Sequence, residues 1–492
     1  MARQGQAIRS TCRLATRSPR LPRRGKKHGK GQDQTARQAM GSLFVSLRNS
    51  AASMGVFERG IMVVQGNVTN ANTPGYARQR QVLVAMASDL DAGLAGGVAS
   101  GGTLDLRSSY AEQSVRRSLN SLGQAGERAA HLSRMEPVFD VQEGAGVGGA
   151  IQSLFESFSA LAVAPNDGSA RQAVLQSAGN LALAFRQAAA GLTAAQADAG
   201  RGLVTEASKI NSTLEKMRQI NHQFKLDFRA QNDAGLNAQM NTLLEDLSAS
   251  MDYTVLRAPD GSVSIYAGGQ SPVLLGERLY GVTADVSGIP ARLLDHQGAD
   301  ILEQVREGRV AALGEIHNGR IPGYMADFDR LASTLADAVN GQLSAGLDRS
   351  GNPPAAGLFT YDAVLGTART MTVTSLTADD LAAASAGAPG GNGNAVALAG
   401  LAGERLVSGS TFTQFYGAIA ARAGQDLSAA SADLQIQSAL SVQARQMRDD
   451  ISKVNLDEEA ITLLEFQRGY EAAARMVMTL DEMTQTLFEM IR

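Results

Sequence analysis

Two apolar stripes, one near each end of the 492-residue chain, constrain its fold more than any other feature. In the first stripe, apolar or small residues recur at alternating intervals of four and three from Leu43 to Val68. The same spacing runs through the second stripe, from Leu456 to Ile491. It predicts two long amphipathic helices, each with a heptad seam. A lone helix cannot bury such a stripe in water, so each helix needs a partner.

Both seams are candidate assembly surfaces, because each stripe is wider than a strict two-position seam. Ile461, Leu464, Met476, Met483 and Phe488 lie beside the C-terminal seam and widen it. The two ends of the chain can pair as a coiled-coil hairpin, or each seam can pack against a neighbouring subunit, and the sequence leaves both open. The N-terminal seam comprises Leu43, Leu47, Met54, Phe57, Ile61, Val64 and Val68. The C-terminal seam comprises Leu456, Leu463, Phe466, Tyr470, Val477, Leu480, Leu487 and Ile491.

The first helix is predicted to stop at the stretch NVTNANTPGYARQR, residues 67–80. Pro74 cannot donate to a helical ladder, and it disfavours the α conformation at Thr73. Pro-Gly suits the two central positions of a type II turn, with Gly75 at positive φ. We therefore expect a helix, a turn and an extended segment in that order. The turn motif consists of Asn70, Asn72, Thr73, Pro74, Gly75 and Tyr76.

Charge and cysteine content separate a basic N-terminal segment from an acidic remainder. Residues 1–39 contain eleven Lys or Arg and one Asp, whereas the remaining residues contain 34 basic and 47 acidic side chains. We expect 1–39 to be disordered and to be an upstream start-site extension, with a nucleic-acid- or membrane-binding arm or a targeting segment as alternatives. The only cysteine is Cys12, which excludes disulfides and thiolate metal sites from the rest. No apolar run approaches the ~20 residues that span a bilayer.

The middle of the chain is predicted to be mostly helical, with β structure at its centre. Helical spacing occurs over 174–192 and 203–217, which we predict as two helices, and again over 301–313 and 411–452. YTVLRAPDGSVSIYAGG predicts two short strands around a Pro-Asp-Gly turn. The predicted divisions after 1–39 are an N-terminal axial part (40–90), a helical domain (91–250), a β insertion (251–300), more of the helical domain (301–345), a Gly/Ala-rich outer or loop region (346–400), a long returning helix (401–450) and a C-terminal coiled-coil helix (451–492).

This pattern predicts a fold that is mainly α with inserted β elements. We expect an elongated multidomain chain in which the terminal helices pair as a coiled coil. A helical middle domain and a small β-containing outer domain would follow between them. The chain would therefore run out from the paired ends and return to them.

The sequence offers little for catalysis or for binding a cofactor. Its five histidines form no metal-binding spacing, and no nucleophile elbow or phosphate-binding loop of the Walker type is found. GAGVGG, residues 144–149, fits a dinucleotide fingerprint, but helix follows helix there and no second parallel strand is predicted. We therefore expect no catalytic residue, no cofactor and no metal site, and we do not expect an enzyme.

Two terminal motifs carry a family resemblance. NVTNANTPGYARQR resembles the N-terminal motif of the axial proteins of the bacterial flagellum, which form its rod, hook and hook-associated parts. KVNLDEEAITLLEFQRGYEAAARMVMTLDEMTQTLFEMI, residues 453–491, is similar to their C-terminal motif. The central segments 154–187 and 321–340 resemble the hook-associated members of this family. The resemblance covers essentially 40–492 and is weakest in the β region.

The resemblance implies a structural protein that assembles at the distal end of the hook and joins hook to filament. Implied partners are copies of the chain in a ring, hook protein, hook-associated protein 3, and an export chaperone at the C-terminal helix, with no nucleic acid and no membrane insertion. It implies type III export without a cleaved signal peptide, from the cytoplasm to the extracellular flagellum. Alternatives are another axial component, such as hook or distal rod protein, and more remotely a secreted enzyme on a helical scaffold.

Overall fold

The computed structural model describes the backbone of residues 30–88, 96–139 and 146–491, and within these ranges the side chains of all residues except 30–39, 228 and 491. The chain is mainly helical with small sheets, which confirms the predicted fold class. Two compact units form. The first contains the described parts of 1–65, 81–104 and 457–492, and the second contains 66–80 and 105–456.

The first unit is built from two long helices and a hairpin. Helix α1 spans Lys30–Thr69 and helix α11, at the other end of the chain, spans Leu456–Ile491. Strand β1 (Gln79–Ala85) pairs with β2 (Val98–Asp105), so the predicted extended segment after the turn is half of a hairpin. We expect 1–39 to be disordered from their sequence, but the backbone of 30–39 is helical and forms the start of α1. Residues 1–29 lie outside the described residues.

The second unit is organised around one helix of 59 residues, α4 (Gly168–Leu226). Around it lie α2 (Ser109–Met135), α3 (Gly146–Val163), α5 (Ala234–Ser250), α6 (Gly308–Glu315), α7 (Ile321–Ser344) and α10 (Phe412–Ser452). A π-helical turn, Ile316–Arg320, joins α6 to α7. The buried core follows the apolar face of α4 from Val174 to Phe224.

Side-chain caps explain where several of these helices begin. Asp167 accepts a hydrogen bond from the Ser169 amide at the start of α4. Thr411 and Gln414 form a reciprocal capping box at the start of α10. Both arrangements satisfy amides that have no partner within the helix.

The predicted hairpin around Pro-Asp-Gly is confirmed and belongs to a larger antiparallel sheet. Its strands are β3 (Tyr253–Arg257), β4 (Val263–Ala267), β5 (Ser271–Leu275) and β6 (Arg278–Leu279), in that order across the sheet. Strands β7 (Thr283–Asp285) and β8 (Arg292–Leu294) form a separate pair.

Three sequence expectations for the second unit are wrong in detail. The two helices predicted over 174–192 and 203–217 are one helix, because the Gly and Ala residues between them continue the helical face without a stop signal. Residues 301–307 precede α6 and are not helical. The returning helix begins at Phe412, not at 401.

The composition of the Gly/Ala-rich region 346–400 predicts irregular β structure together with a mobile loop, and short strands are present. It contains the strand pairs β9–β12 (Gly346–Leu347 and Ala384–Ser385) and β10–β11 (Phe359–Thr360 and Thr372–Val373), with α8 (Thr367–Thr370) and α9 (Gly393–Gly400). Leu358, Met371, Leu381 and Leu398 are fully buried in the main core. The composition suggested mobility, but these spaced apolar residues anchor the region.

Candidate functional site: the terminal helix pair and the turn after the first helix

The terminal helices approach each other where a glycine on each faces a phenylalanine on the other. The ring centroids of Phe57 on α1 and Phe466 on α11 are 6.5 Å apart. A Cβ placed on Gly60 would lie 2.9 Å from the Phe466 ring, and one on Gly469 would lie 2.8 Å from the Phe57 ring. Only glycine leaves room for so close an approach. The predicted pairing of the two ends is therefore present within one chain.

The predicted seam residues are only partly covered by this pairing. On α1, Val64 is buried and Leu43, Leu47, Met54, Phe57 and Ile61 are half-buried. Val68, which the spacing assigned to the same seam, is 47% exposed. On α11, Leu456 is exposed, and the half-buried seam residues are Leu463, Phe466, Tyr470, Val477, Leu480 and Leu487. The side chain of Ile491 lies outside the described residues.

Beside the C-terminal seam, α11 presents a set of apolar side chains to solvent. We call this the open face, and it consists of Ile461, Leu464, Met476, Met483 and Phe488, each between 52% and 60% exposed. Met478 and Met490 on the same helix are more exposed still. Large apolar side chains exposed in this number on one helix indicate a candidate interaction surface. One partner helix therefore covers only part of the stripe that the sequence predicted.

The turn after α1 has the geometry that its sequence predicts. The Tyr76 amide donates to the Thr73 carbonyl at 3.1 Å, and Gly75 lies at φ 73°. This is a type II turn with Pro74 and Gly75 at its centre. A Cβ at Gly75 would lie 2.5 Å from the Ala238 carbonyl oxygen on α5, so the close packing of the turn adds a second requirement for glycine.

Polar side chains within the motif close the turn. The Asn70 amide group donates to the Gly66 carbonyl at 2.9 Å, and the Thr73 hydroxyl donates to the Asn70 side-chain oxygen at 3.2 Å. These bonds satisfy carbonyl and side-chain groups where the helix ends. Asn72 and Pro74 are exposed. The turn motif is therefore held together from inside by Asn70 and Thr73.

Asn67 joins the helix end to the following strand, and like Asn70 it is predicted from its residue type and position to bond nearby backbone groups where the helix ends. Its side chain is 1% exposed. The amide group donates to the Gln79 carbonyl at 2.8 Å, and its oxygen accepts from the Gln79 amide and the Tyr76 hydroxyl, both at 2.9 Å. It thus pairs with Gln79 as a neighbouring strand would. Its position at the start of the quoted stretch was the available signal.

A buried ion pair supports the turn from the side of α2. The guanidinium of Arg107 donates to the Gly75 carbonyl at 2.6 Å and to the Glu112 carboxylate at 2.7 Å, and Glu112 is 3% exposed. Burial works to lower the pKa of nearby Arg448, but Glu245 and then Glu112 hold that pKa above its ordinary value. Nothing in the sequence pattern indicated this support, because Arg107 is 32 residues from Gly75.

The described residues contain neither a metal-binding cluster nor a helix that could span a membrane. Among them, no three His, Cys, Asp or Glu side chains are placed to hold a metal ion. Within the same residues, no helix has both the length and the apolar character to cross a bilayer. Three acidic residues, Asp457 to Glu459, lie in the first turn of α11, where their negative charges interact favourably with the positive end of the helix dipole. The exposed apolar side chains of α11 could make contacts along a helix of another chain.

Comparisons with known proteins agree with this geometry. Residues 132–359 match the family model described as "Flagellar hook-associated protein FlgK helical domain", and 448–490 match "Flagellar basal body rod FlgEFG protein C-terminal". Flagellar hook-associated protein 1 of Bacillus subtilis (strain 168) is 26% identical, covering 90% of this chain and 97% of that protein. The protein of the same name from Salmonella typhimurium is 23% identical over 62% of this chain and 58% of that protein.

A solved structure shares the fold. It is the flagellar hook junction protein FlgK from Burkholderia pseudomallei, with a TM-score of 0.62 and 15% identity. The similarity covers 69% of this chain and all of that one. The matched family models together cover more than half of the chain and include both a central helical region and most of α11.

Proposed function

Because this chain belongs to the family of flagellar hook-associated protein 1, the structural proteins of the hook–filament junction, we propose that its terminal helices carry the assembly contacts. The paired helices α1 and α11 would form the axial part at the distal end of the hook. The open face of α11 would be covered there by copies of this chain in a ring and by adjoining axial components.

The observation that carries this proposal is that the apolar stripes of the terminal helices are only partly buried within one chain. Each residue of the open face still exposes more than half of its side chain. Fully burying one such side chain stabilises by about 1.5–3 kcal/mol, so covering the exposed half of five or more gives several kcal/mol. That gain is large enough to offset part of the cost of ordering and docking a subunit. Assembly would therefore complete the burial that one chain begins.

The partners follow from the position of such a protein in the flagellum. Hook protein would lie below it, and hook-associated protein 3 would bind above it, before the filament. A cytoplasmic export chaperone would cover the apolar face of α11 until export through the flagellar type III apparatus. On this proposal the protein acts by contact alone and is not an enzyme.

The turn motif would set the direction in which the chain leaves α1. Asn67, Pro74 and Gly75 fix the helix end, and Arg107, just before α2, donates to the Gly75 carbonyl. Loss of the turn should therefore disturb assembly without removing any apolar contact.

The proposal is tested by changing the open face and leaving the paired face intact. Met476→Gln with Met483→Gln keeps residues that favour helix but removes apolar surface from two exposed positions. In cells that lack the native protein, we expect this double variant to be exported and to leave at least tenfold fewer hooks with filaments. Hooks would be counted by electron microscopy, and variant incorporation would be followed by antibody labelling.

A matched control changes exposed apolar residues away from α11. Val364→Thr with Leu365→Gln alters two residues that are 93% and 62% exposed in the second unit, and filaments should assemble normally. Deletion of 477–492 should abolish incorporation into hooks. Normal filaments in cells that carry this truncated chain would reject the proposal.

The alternative within the family is another axial component, such as hook or distal rod protein. The match of 448–490 to a rod-protein model is compatible with it, whereas the match of 132–359 to the FlgK helical domain favours the junction protein. Cross-linking a cysteine at Phe488 to its neighbours in isolated hooks would decide. Linkage to hook-associated protein 3 supports the junction, and linkage to rod proteins alone supports the alternative.

A further inference from the structure

A polar groove in the second unit separates helix α2 from the edge strand of the four-stranded sheet. We call it the α2–β3 groove, and its volume is about 590 Å³. One wall is the β3 backbone from Tyr253 to Val255, and Asp252 and Glu307 close one end. The other wall is formed by Gln113, Arg116, Arg117, Asn120 and Ser121 of α2. At roughly 100–150 Å³ for an average residue, the groove has room for about four residues of an extended chain.

The register of the sheet shows which backbone groups of β3 face this groove. The Ala258 amide donates to Ser262 and the Gly268 amide donates to Asp252, so these are hydrogen-bonded pairs of the β3–β4 ladder. Such pairs recur at every second residue of an antiparallel strand. Thr254 and Leu256 therefore bond to β4, and the amides and carbonyls of Tyr253, Val255 and Arg257 point away from it.

These outward groups are unpaired within the described residues. Over 30–88, 96–139 and 146–491, no hydrogen bond joins the backbone of Tyr253, Val255 or Arg257 to a residue outside the β3–β4 ladder. The other edge of the sheet is β6, which has only two residues. Natural sheets protect their edges by keeping edge strands short or covered. The five-residue edge of β3 is instead left open beside a groove.

The two ends of the groove differ in charge. Arg116 and Arg117 line it from α2, and neither forms an ion pair with another described residue. Partial desolvation, followed by repulsion from Arg107 and Arg116, lowers the pKa of Arg257, which places these cations close together. At the opposite end, Asp252 accepts the amides of Arg306 and Glu307. The Arg116 end therefore favours carboxylates.

We propose that the α2–β3 groove binds an extended peptide segment of a partner protein, which pairs with β3 as an added strand and places carboxylates beside Arg116 and Arg117. Main-chain hydrogen bonds to Val255 would supply sequence-independent affinity. The two arginines would select segments with an acidic end and would set their direction. In an antiparallel arrangement, the acidic end is the N-terminal end of the added segment.

The backbone half of this proposal is tested by removing one amide hydrogen. Val255→Pro deletes an outward N–H and leaves the β3–β4 bonds in place, since proline is accepted at outward positions of edge strands. The probe is a fluorescent nine-residue peptide, three Glu followed by alternating Thr and Val, added to the full chain. We expect saturable binding by anisotropy and at least a tenfold weaker Kd for Val255→Pro.

The matched control is Leu279→Pro at the opposite edge of the same sheet. The Tyr280 amide donates to Val273, so Leu279 also points its N–H outward, but it lies on β6, away from the groove. This variant should bind the peptide as the unmodified chain does. Equal loss in both proline variants, or no saturable binding to the unmodified chain, would overturn the proposal.

The charge half is tested by reversal. Arg116→Glu with Arg117→Glu should weaken binding of the Glu-ended peptide at least tenfold and should create binding for a peptide with three Lys in the same positions. Lys209→Glu with Lys216→Glu makes the same change in charge on an exposed face of α4 and should alter neither affinity. If the reversed chain still prefers the Glu-ended peptide, the arginines do not select the ligand and the proposal fails.

Discussion

The interior of the second unit and the terminal helix pair have the same apolar period but opposite burial. Leu181, Phe185 and Leu214 on α4 are completely buried, whereas Leu464 and Met476 on α11 are more than half exposed. The difference lies in the neighbours, because α4 is surrounded by helices of its own unit, whereas among the described residues α11 packs against α1 along only part of its apolar surface. A heptad or helical period therefore predicts that a face will be covered, but not whether the same chain covers it.

The sharpest contrast comes from truncating one phenylalanine in each region. Phe328 on α7 is 0% exposed and packs against Phe139 and Tyr416. Phe328→Ala should lower the free energy of unfolding of the second unit by about 3–5 kcal/mol, through lost apolar burial and the cavity left behind. Urea unfolding of the full chain, followed by circular dichroism, measures the change.

The matched variant is Phe488→Ala on the open face of α11. Because Phe488 is already 52% exposed in the single chain, its truncation should lower stability by no more than about 1.5 kcal/mol, half of the value for a fully buried side chain. Similar losses for the two variants would contradict the comparison, since α11 would then be buried as fully as the core.

The next largest effect should come from the close contact between the terminal helices. Gly60→Ala places a Cβ 2.9 Å from the Phe466 ring and should destabilise the α1–α11 pair by up to about 3 kcal/mol, because the ring must move. Hydrogen exchange of α1 and α11 should accelerate, and exchange in α4 should not.

Gly55→Ala is the control on the same helix, since nothing lies within 4 Å of a Cβ there. It should slow exchange in α1, because alanine favours helix over glycine by about 1 kcal/mol. If both alanines slowed exchange, the pairing of the terminal helices would be looser than the contact distances indicate.

A smaller effect is expected at the turn, where polar bonds replace apolar burial. Asn67→Ala removes the hydrogen bonds to Gln79 and Tyr76 and leaves the Gln79 backbone without its partner. The cost should be about 1–2 kcal/mol. Thermal unfolding measures it, with Asn72→Ala as the exposed control from the same motif. Equal effects would mean that the turn is held by Pro74 and Gly75 alone.

Sequence reasoning succeeded wherever a local rule determines the outcome. Pro74 and Gly75 specify their turn by backbone sterics, the 411–452 helix carries its own capping box, and the Pro-Asp-Gly hairpin is specified by its turn. The long terminal helices and their apolar faces follow from spacing alone. Each of these features is contained in a short window of sequence.

Sequence reasoning failed where contacts between residues far apart in the sequence determine the structure. The region 346–400 is poor in long apolar runs, yet Leu358 and Leu381 reach the core across many intervening residues. Arg107 supports a turn that precedes it by about thirty residues. The pairing of the two chain ends was predicted, but the contacts of Gly60 and Gly469 with phenylalanine rings were not. The assembly role of the predicted seam residues stays a prediction, because it concerns contacts with other chains.

The smallest effect should appear in the pH dependence of the second unit. Glu315 at the end of α6 accepts from Arg128 at 2.7 Å and from Arg320 at 2.8 Å, and Arg320 also pairs with Asp426 on α10 at 2.7 Å. Burial works to raise the pKa of Glu315, but the hydrogen bonds from Arg320 and then Arg128 outweigh it and lower that pKa below 4.5.

A carboxyl group with a lowered pKa in the folded state contributes stability above its unfolded pKa, and this contribution is lost as the pH falls through the folded value. Glu315→Gln should therefore reduce stability at pH 7 by less than about 1 kcal/mol, since the pair is partly solvated, and the difference should vanish below the lowered pKa. Urea midpoints measured from pH 7 to pH 2 follow this convergence.

Glu156→Gln, at an exposed carboxylate bonded to Gln152, should leave the curve unchanged. Because Glu315 lies entirely within the second unit, exchange in α11 should not respond. A response there would mean that the terminal helices derive stability from the second unit and not only from their own pairing.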